Sequence, residues 1–235
     1  LSAGSQQVPL EWQLQWDHRG LAGDAVVTLD TDGIAAEGQL QTDLLDLRRA
    51  ERLARLPPTI DGEAGLDGRF AWSAPKLTLS GDLQVPRLAY AFAERSIVLS
   101  GVEFPGFRLD VLTAPGIVVE FVPGADSRAA RWETELEGQR VDGKAISLSG
   151  RLRYDGSGTI DTSDLALGAE SVGWSDAGRQ LQITGLRIGG RAQQSLTGET
   201  PFPALNASLS AGSVAYTDES AALAVRLNDL RLDDL

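Results

Sequence analysis

The sequence contains no cysteine and no methionine, and it has a single histidine among 235 residues. Without cysteine the chain cannot form disulfides, thiol nucleophiles or cysteine-ligated zinc sites. The one histidine, His18, cannot build a zinc site of several imidazoles, and we interpret it as a solvated residue of a turn-like segment. These absences exclude several common kinds of catalytic and metal-binding site.

Basic and aromatic residues are also scarce. The formal net charge is −12, aromatic residues make up 6% of the chain, and Lys76 and Lys144 are the only lysines. Such an acidic chain is poorly suited to nucleic acids or to anionic membrane surfaces, which bind basic stripes. No apolar run approaches the roughly 18 residues of a membrane-spanning helix. We interpret residues 1–235 as a single domain excerpted from a longer or processed chain.

Alternation of apolar and polar residues is the clearest pattern, and it runs from Ile60 to Val85 with one break at Ala74-Pro75. Side chains in a β-strand alternate between two faces, so this stretch predicts two long strands with one apolar and one polar face. Similar patterns predict about 14 to 16 strands joined by short polar turns, without the spacing of βαβ units. The sequence therefore predicts an all-β fold, a large curled antiparallel and meander-like sheet that forms an open β-groove.

One segment departs from the strand pattern. Apolar residues between Asp43 and Arg55 repeat at helical spacing, Thr42 precedes them as a capping residue, and Pro57-Pro58 follows as a stop. These features predict one short amphipathic helix at about 43–55. The helix would either cover an edge of the sheet or act as a lid over an apolar groove.

Glycine and proline predict where strands bend or break. The phrase Leu-Ser-Gly, or its variant Ile-Thr-Gly, recurs in strand-like context without a fixed period. Its glycines are Gly81, Gly101, Gly150 and Gly185. A glycine inside a strand often marks a bulge or bend, so these positions predict curvature of the sheet. Pro105 and Pro115 predict short strand pieces around them.

No motif typical of catalysis is present. The chain lacks a phosphate-binding glycine loop and a nucleophile elbow. Residues 153–164 resemble the centre of an EF-hand loop, but Arg153 stands where the first carboxylate is needed, so we interpret them as a hairpin turn. Asp30-Thr31-Asp32-Gly33 is interpreted in the same way. We expect no catalytic residue, no metal and no cofactor, and we do not expect an enzyme.

The apolar face must be covered, and a large sheet can do this in three ways. It can pack on a second sheet, close into a barrel, or curl into an open trough. In the central strands Gly62, Ala64 and Gly68 alternate with Leu66 and Phe70. Small residues among large ones leave room for a ligand or accept bulky side chains from a second layer, and the sequence leaves both alternatives open.

The strand pair from Leu66 to Val85, the Leu-Ser-Gly phrases and the single helix together resemble the AsmA-like periplasmic bridge proteins. This family includes the TamB, YhdP and YdbH groups and is similar to the bridge-like lipid transfer proteins. The resemblance implies a β-groove with an aliphatic lining that carries phospholipid acyl chains between the inner and outer membranes of a Gram-negative cell envelope, in support of outer-membrane biogenesis. It also implies a periplasmic location, an inner-membrane anchor outside this chain, and an outer-membrane protein or lipoprotein as a partner.

On this hypothesis the apolar strand faces line the lipid groove. The predicted lining residues are Trp12, Leu14, Leu66, Phe70, Trp72, Leu77, Leu79, Leu83, Leu148 and Leu152. The alternative for each is an ordinary core residue. The alternative function is a structural or assembly component of a secretion or outer-membrane protein insertion machinery, which would use sheet-edge pairing. A glycosidase-like enzyme on a β scaffold is a third and weaker hypothesis.

Overall fold

The computed structural model describes residues 6–16, 19–30, 33–47, 60–92, 95–136, 139–195 and 204–233, and these residues form one antiparallel sheet of 13 strands. The strands are β1 (Gln6–Trp16), β2 (Arg19–Asp30), β3 (Gly33–Asp46), β4 (Ile60–Ser73), β5 (Lys76–Phe92), β6 (Arg95–Leu112), β7 (Val118–Val122), β8 (Arg128–Leu136), β9 (Gln139–Tyr154), β10 (Thr159–Asp176), β11 (Arg179–Ser195), β12 (Ala204–Asp218) and β13 (Leu223–Leu232). Strand order in the sheet follows the chain, and β1 and β13 are separate edges. The predicted antiparallel meander is confirmed, and the sheet does not close into a barrel.

Two short strands share one position in the sheet. β7 and β8 both lie between β6 and β9, and residues 123–127 separate them. In this interruption Ser127 N donates to Gly124 O at 3.1 Å, and Leu148 N of β9 donates to Ser127 O at 3.1 Å. These bonds keep the sheet continuous across the break.

The sheet is a single layer. In the described residues, each strand comes within 8 Å, between Cα atoms, only of the strands that it pairs with. The accessible surface is 15520 Å², against roughly 10,000 Å² for a compact protein of 25.0 kDa. Only eight apolar residues of the described part are buried, and five of them are alanines. No second layer covers the described sheet.

The predicted helix is wrong over Asp43–Asp46, because these residues belong to β3. Leu47 follows β3 as a single residue of helical conformation, which is too short to be a helix, and residues 48–55 lie outside the described residues. A register shift between Thr42 and Leu45 explains the misleading pattern, because a bulge adds a residue and brings apolar side chains to helix-like spacing. Thr42 does not cap a helix. Its Oγ1 accepts a hydrogen bond from Leu66 N of β4 at 2.8 Å, which fills the gap in the ladder at the bulge.

The effect of the prolines is only partly as predicted. Pro115 lies in the link between β6 and β7, as expected. Pro105 lies inside the 18-residue strand β6, so the prediction of short pieces around it is wrong. The ladder tolerates Pro105 because the register shifts there and the Asp82 carboxylate accepts a hydrogen bond from Gly106 N at 2.8 Å.

A row of unpaired positions crosses the sheet from β5 to β13 at one level, which we call the bend line. Its members are Pro86, Gly101, Ala130, Ala145, Glu170, Gly185, Gly212 and Asp229. On β6, β9, β11 and β13, which run in the same direction, the unpaired residue is left-handed, with φ between 48° and 62°. Irregular residues of this kind bend a strand, so the sheet is bent along one line.

The prediction that the four phrase glycines mark irregular positions is confirmed. All four have positive φ. Gly101 and Gly185 lie on the bend line, Gly81 adjoins a register shift between β5 and β6, and Gly150 faces the bulge of β10. No helix in the described ranges is long and apolar enough to cross a membrane.

Candidate functional site

Cross-strand pairing collects the apolar residues on one face of the sheet. Directly paired residues point to the same side, so a face can be followed from strand to strand. One such row runs across eleven of the twelve strand positions with a single polar member, Thr162. Its members from β1 to β12 are Leu10, Ala25, Gly38, Phe70, Leu79, Leu109, Phe121, Leu152, Thr162, Ala192 and Leu205. We call the surface that contains this row the apolar face.

The hydroxyl of Thr162, the polar member of the row, has its hydrogen bonds satisfied by the neighbouring strand. Thr162 Oγ1 donates to Ala192 O at 3.2 Å and accepts from Ala192 N at 2.7 Å. The hydroxyl therefore bonds the backbone of Ala192 beside the bulge of β10. It does not leave an unpaired polar group on the apolar face.

All ten residues predicted to line a groove occupy positions on this face. Phe70, Leu79 and Leu152 lie in the row described above, and the other seven lie in parallel rows. Those other residues are Trp12, Leu14, Leu66, Trp72, Leu77, Leu83 and Leu148. The side chain of Leu14 lies outside the described set. Of the remaining nine, eight are half-buried and Trp72 is 39% exposed, so none of the nine is fully buried.

The best-packed part of the apolar face lies at its centre and was missed by the sequence reasoning. Phe107 is 3% exposed, and its ring centroid lies 5.9 Å from that of Phe121. Phe104 meets the same Phe121 edge to face at 5.4 Å, and Val85 and Val102 form a small cluster beside it. The alternation did mark these residues as apolar, but only the pairing of β6 with both β5 and β7 places them at the centre.

Tryptophan side chains lie on the apolar face over glycines of neighbouring strands. Trp12 pairs with Gly23, and Trp132 pairs with Gly143. A Cβ at Gly23 would come within 2.6 Å of the Trp12 ring, and one at Gly143 within 1.8 Å of Trp132 Nε1. The glycines allow the indoles to lie along the sheet, and both indoles remain half-buried.

The opposite surface, the polar face, carries ion pairs between neighbouring strands. Asp110 accepts hydrogen bonds from Thr78 Oγ1 at 2.6 Å and Arg108 Nε at 3.0 Å, and its Oδ2 lies 3.5 Å from Lys76 Nζ. Burial raises the pKa of Asp110, but the Thr78 hydrogen bond and the charges of Arg108 and Lys76 lower it, so the net pKa lies below its ordinary 3.8. The polar face is thus solvated and internally paired.

The surface depressions described in the structure lie mainly among polar-face side chains. One has a volume of about 490 Å³ and is lined by Lys76, Asp110, Glu120, Arg151 and Arg153, among others. Its opposite charges pair with one another, as Arg151 Nε does with Glu120 Oε1 at 3.4 Å. A twisted sheet is saddle-shaped and therefore concave along one diagonal of each face, which accounts for hollows on the polar side.

The segment that resembles a calcium loop is a hairpin turn, as predicted. Asp155 Oδ1 accepts hydrogen bonds from Ser157 N at 2.9 Å, Ser157 Oγ at 2.7 Å and Thr159 N at 3.4 Å. These bonds hold the carboxylate within its own turn and lower its pKa. The hairpin at Asp30 and Gly33 is also confirmed by their direct pairing. His18 lies outside the described residues, which contain no group of three potential metal ligands.

The geometry thus singles out a surface rather than a pocket, an apolar face that spans the sheet and is open to solvent in the described residues. Comparison with protein-family models, with curated proteins and with solved structures finds no match for this chain.

Proposed function

We propose that this chain is a lipid-carrying segment whose apolar face holds phospholipid acyl chains. The observation that carries the proposal is the apolar face itself, which continues across the described strands without a second protein layer over it. Exposed apolar patches on soluble proteins seldom exceed a few hundred Å² unless they bind something. Acyl chains match this surface in chemistry, because its lining is mainly aliphatic.

The energetics favour such a ligand. Each methylene removed from water contributes about 0.8 kcal/mol, so an acyl chain gains on the order of 10 kcal/mol on a continuous apolar surface. Lateral transfer along this face needs no catalytic residue and no cofactor. We further propose, from the resemblance of the sequence to the AsmA-like proteins, that the chain works in the periplasm with an inner-membrane anchor and an outer-membrane partner.

A matched pair of variants tests the proposal. Leu79 lies in the middle of the apolar face, whereas its neighbour Ser80 points to the polar face and pairs with Arg69 and Arg108. Leu79→Asp should abolish binding of a fluorescent phospholipid, and Ser80→Asp should preserve it, with both variants folded by circular dichroism. Phe70→Asp is a second apolar-face variant with the same expectation. Equal binding by Leu79→Asp and Ser80→Asp, or absence of lipid from native mass spectra, would contradict the proposal.

A second function, strand pairing with a partner protein, is favoured by the β13 edge. All residues of β13 except Leu230 are exposed, and β13 has no neighbour on its outer side among the described residues. The other edge strand carries Pro9, which discourages pairing, whereas β13 contains no proline. An assembly role predicts that Asn228→Lys on β13 abolishes function in the cell envelope while phospholipid binding persists. A carrier role predicts that Leu79→Asp has the larger effect.

A further inference from the structure

Large apolar side chains are exposed mainly at one end of the strands, which we call the lower rim. This rim consists of the end of β2, the start of β3, the β4–β5 turn, the β6–β7 link (residues 113–117) and the β9–β10 turn (155–158), together with the start of β1 and the end of β13. Seven of the twelve exposed large apolar residues lie within two positions of these strand ends or in the link. They are Val8, Leu29, Ile34, Trp72, Leu112, Ile117 and Leu232.

Strand ends are generally more exposed than strand centres, so the opposite rim provides the comparison. In the described residues Ile97, Leu223 and Val225 are exposed in the same way at that end. Polar groups occupy the β10–β11 end of that rim. Asp176 and Arg179 form an ion pair, and Trp174 Nε1 donates to Gln139 Oε1 at 3.1 Å. Among the described side chains, the lower rim therefore carries more exposed large apolar residues than the opposite rim.

Beside the β6–β7 link, the lower rim has exposed apolar residues on both sides of the sheet. Trp72 belongs to the apolar face, whereas Leu112 pairs with Lys76 and Val118 and therefore points to the polar face. Ile117 lies in the link and is 56% exposed, the largest value among these side chains. The link contains no charged residue, and the adjoining turn is Ala74-Pro75. Leu112 therefore extends the exposed apolar surface beyond the proposed lipid-binding face.

Hydrogen bonds hold the turns of this rim together. Thr113 N and Thr113 Oγ1 both donate to Pro75 O, at 3.0 Å and 3.1 Å, which ties the β6–β7 link to the β4–β5 turn. On the other side Gly156 approaches the link so closely that a Cβ there would lie 2.4 Å from Ile117 O. The exposed Ile117 is therefore presented from a fixed position between two turns.

We propose that the lower rim docks on the surface of a neutral phospholipid membrane. The β4–β5 turn and the β6–β7 link carry no charge, and with the strand ends beside them they offer isoleucine, leucine, proline and tryptophan, which suit the boundary between headgroups and acyl chains. The N–H and hydroxyl of Thr113 are already bonded within the rim and need no hydrogen-bond partner from a ligand. The net charge of −12 opposes an anionic surface, so zwitterionic headgroups are the expected contact. Together with the proposed carrier function, on which this role rests, docking would bring the apolar face to the lipid source.

Flotation with phosphatidylcholine vesicles tests the docking. Ile117→Asp should reduce vesicle-bound protein by about tenfold, since interfacial binding depends on the apolar area inserted. Ile97→Asp, a matched exposed residue at the opposite rim, should leave flotation within about twofold of the unmodified protein, because that rim stays outside the membrane. Ile117 is an exposed link residue, and circular dichroism of both variants checks the fold.

Separate outcomes distinguish this proposal from the carrier function. Ile117→Asp should still bind a soluble short-chain fluorescent phospholipid, because Ile117 lies in the β6–β7 link, outside the paired strands of the apolar face. If unmodified protein binds the soluble lipid but does not float, the docking proposal is wrong and the carrier function stands. If flotation depends on Ile117 but no soluble lipid is bound, docking stands and the carrier function fails. Equal loss of flotation in Ile117→Asp and Ile97→Asp would overturn a specific role for the lower rim.

Discussion

The indole of Trp132 on β8 lies across Gly143 on β9, so close that a Cβ at Gly143 would be 1.8 Å from Nε1. The two residues pair directly on the apolar face. Glycine therefore creates the space that lets a large aromatic ring lie along a single-layer sheet, where no second layer exists to receive it. The same relationship holds between Trp12 and Gly23.

This relationship predicts that Gly143→Ala displaces the Trp132 ring. The added methyl group overlaps the indole, so the variant should be destabilised by about 1–3 kcal/mol in urea unfolding, and its tryptophan emission should change. Gly189→Ala is the control, because the nearest atom to a Cβ there is Leu165 O at 3.7 Å. Unchanged stability and emission in Gly143→Ala would mean that the ring does not rest on the glycine.

The bend line predicts opposite effects for two alanines that face each other. Ala145 has a φ of 48°, whereas Ala130 on the neighbouring strand has no such strain. A left-handed conformation costs a residue with a Cβ about 1–2 kcal/mol, so Ala145→Gly should stabilise the fold by up to about 1 kcal/mol after the entropy cost of glycine. Ala130→Gly should destabilise it by about 0.5–1 kcal/mol. Urea midpoints of the two variants should therefore move in opposite directions, and loss of stability in Ala145→Gly would contradict the account of the bend.

The Asp110 cluster predicts a specific loss of stability in acid. Because the folded pKa of Asp110 is below the ordinary 3.8, its contribution is complete above 3.8 and is lost as the pH falls through the folded value. Thr78→Val removes one hydrogen bond that lowers this pKa, so the carboxyl of the variant should titrate at higher pH in an NMR titration. The urea midpoint of the variant should also begin to fall at higher pH. A titration curve identical to that of the unmodified protein would show that Thr78 does not set the pKa.

Much of the fold follows from alternation along single strands. The pattern from Ile60 to Val85 correctly predicted two long strands. Alternation with a period of two depends only on the sequence of the strand itself, whichever residues of the neighbouring strand it pairs with. For the same reason all ten proposed lining residues occupy one face once the strands pair. What alternation cannot supply is the neighbour of each strand, so the central packing of Phe104, Phe107 and Phe121 was not foreseen.

The failures of sequence reasoning lie where the backbone departs from a regular strand. The bulge after Thr42 imitated a helical repeat, and the bulge at Gly106 allowed Pro105 inside a strand. The bend line was hidden because only two of its left-handed residues, Gly101 and Gly185, belong to the Leu-Ser-Gly phrases. With Ala145 and Asp229 included, successive members are 44, 40 and 44 residues apart, a spacing that reflects hairpins of similar length.

Quenching of tryptophan fluorescence by brominated phospholipid tests the central claim most directly. The described side chains of Trp12, Trp72, Trp132 and Trp174 all occupy apolar-face positions, so bromine atoms on bound acyl chains would lie close to them. The account predicts strong quenching by the brominated lipid, no quenching by its unbrominated counterpart, and loss of the effect in Leu79→Asp. Equal fluorescence with the two lipids at saturating concentration would contradict the claim that acyl chains cover this face.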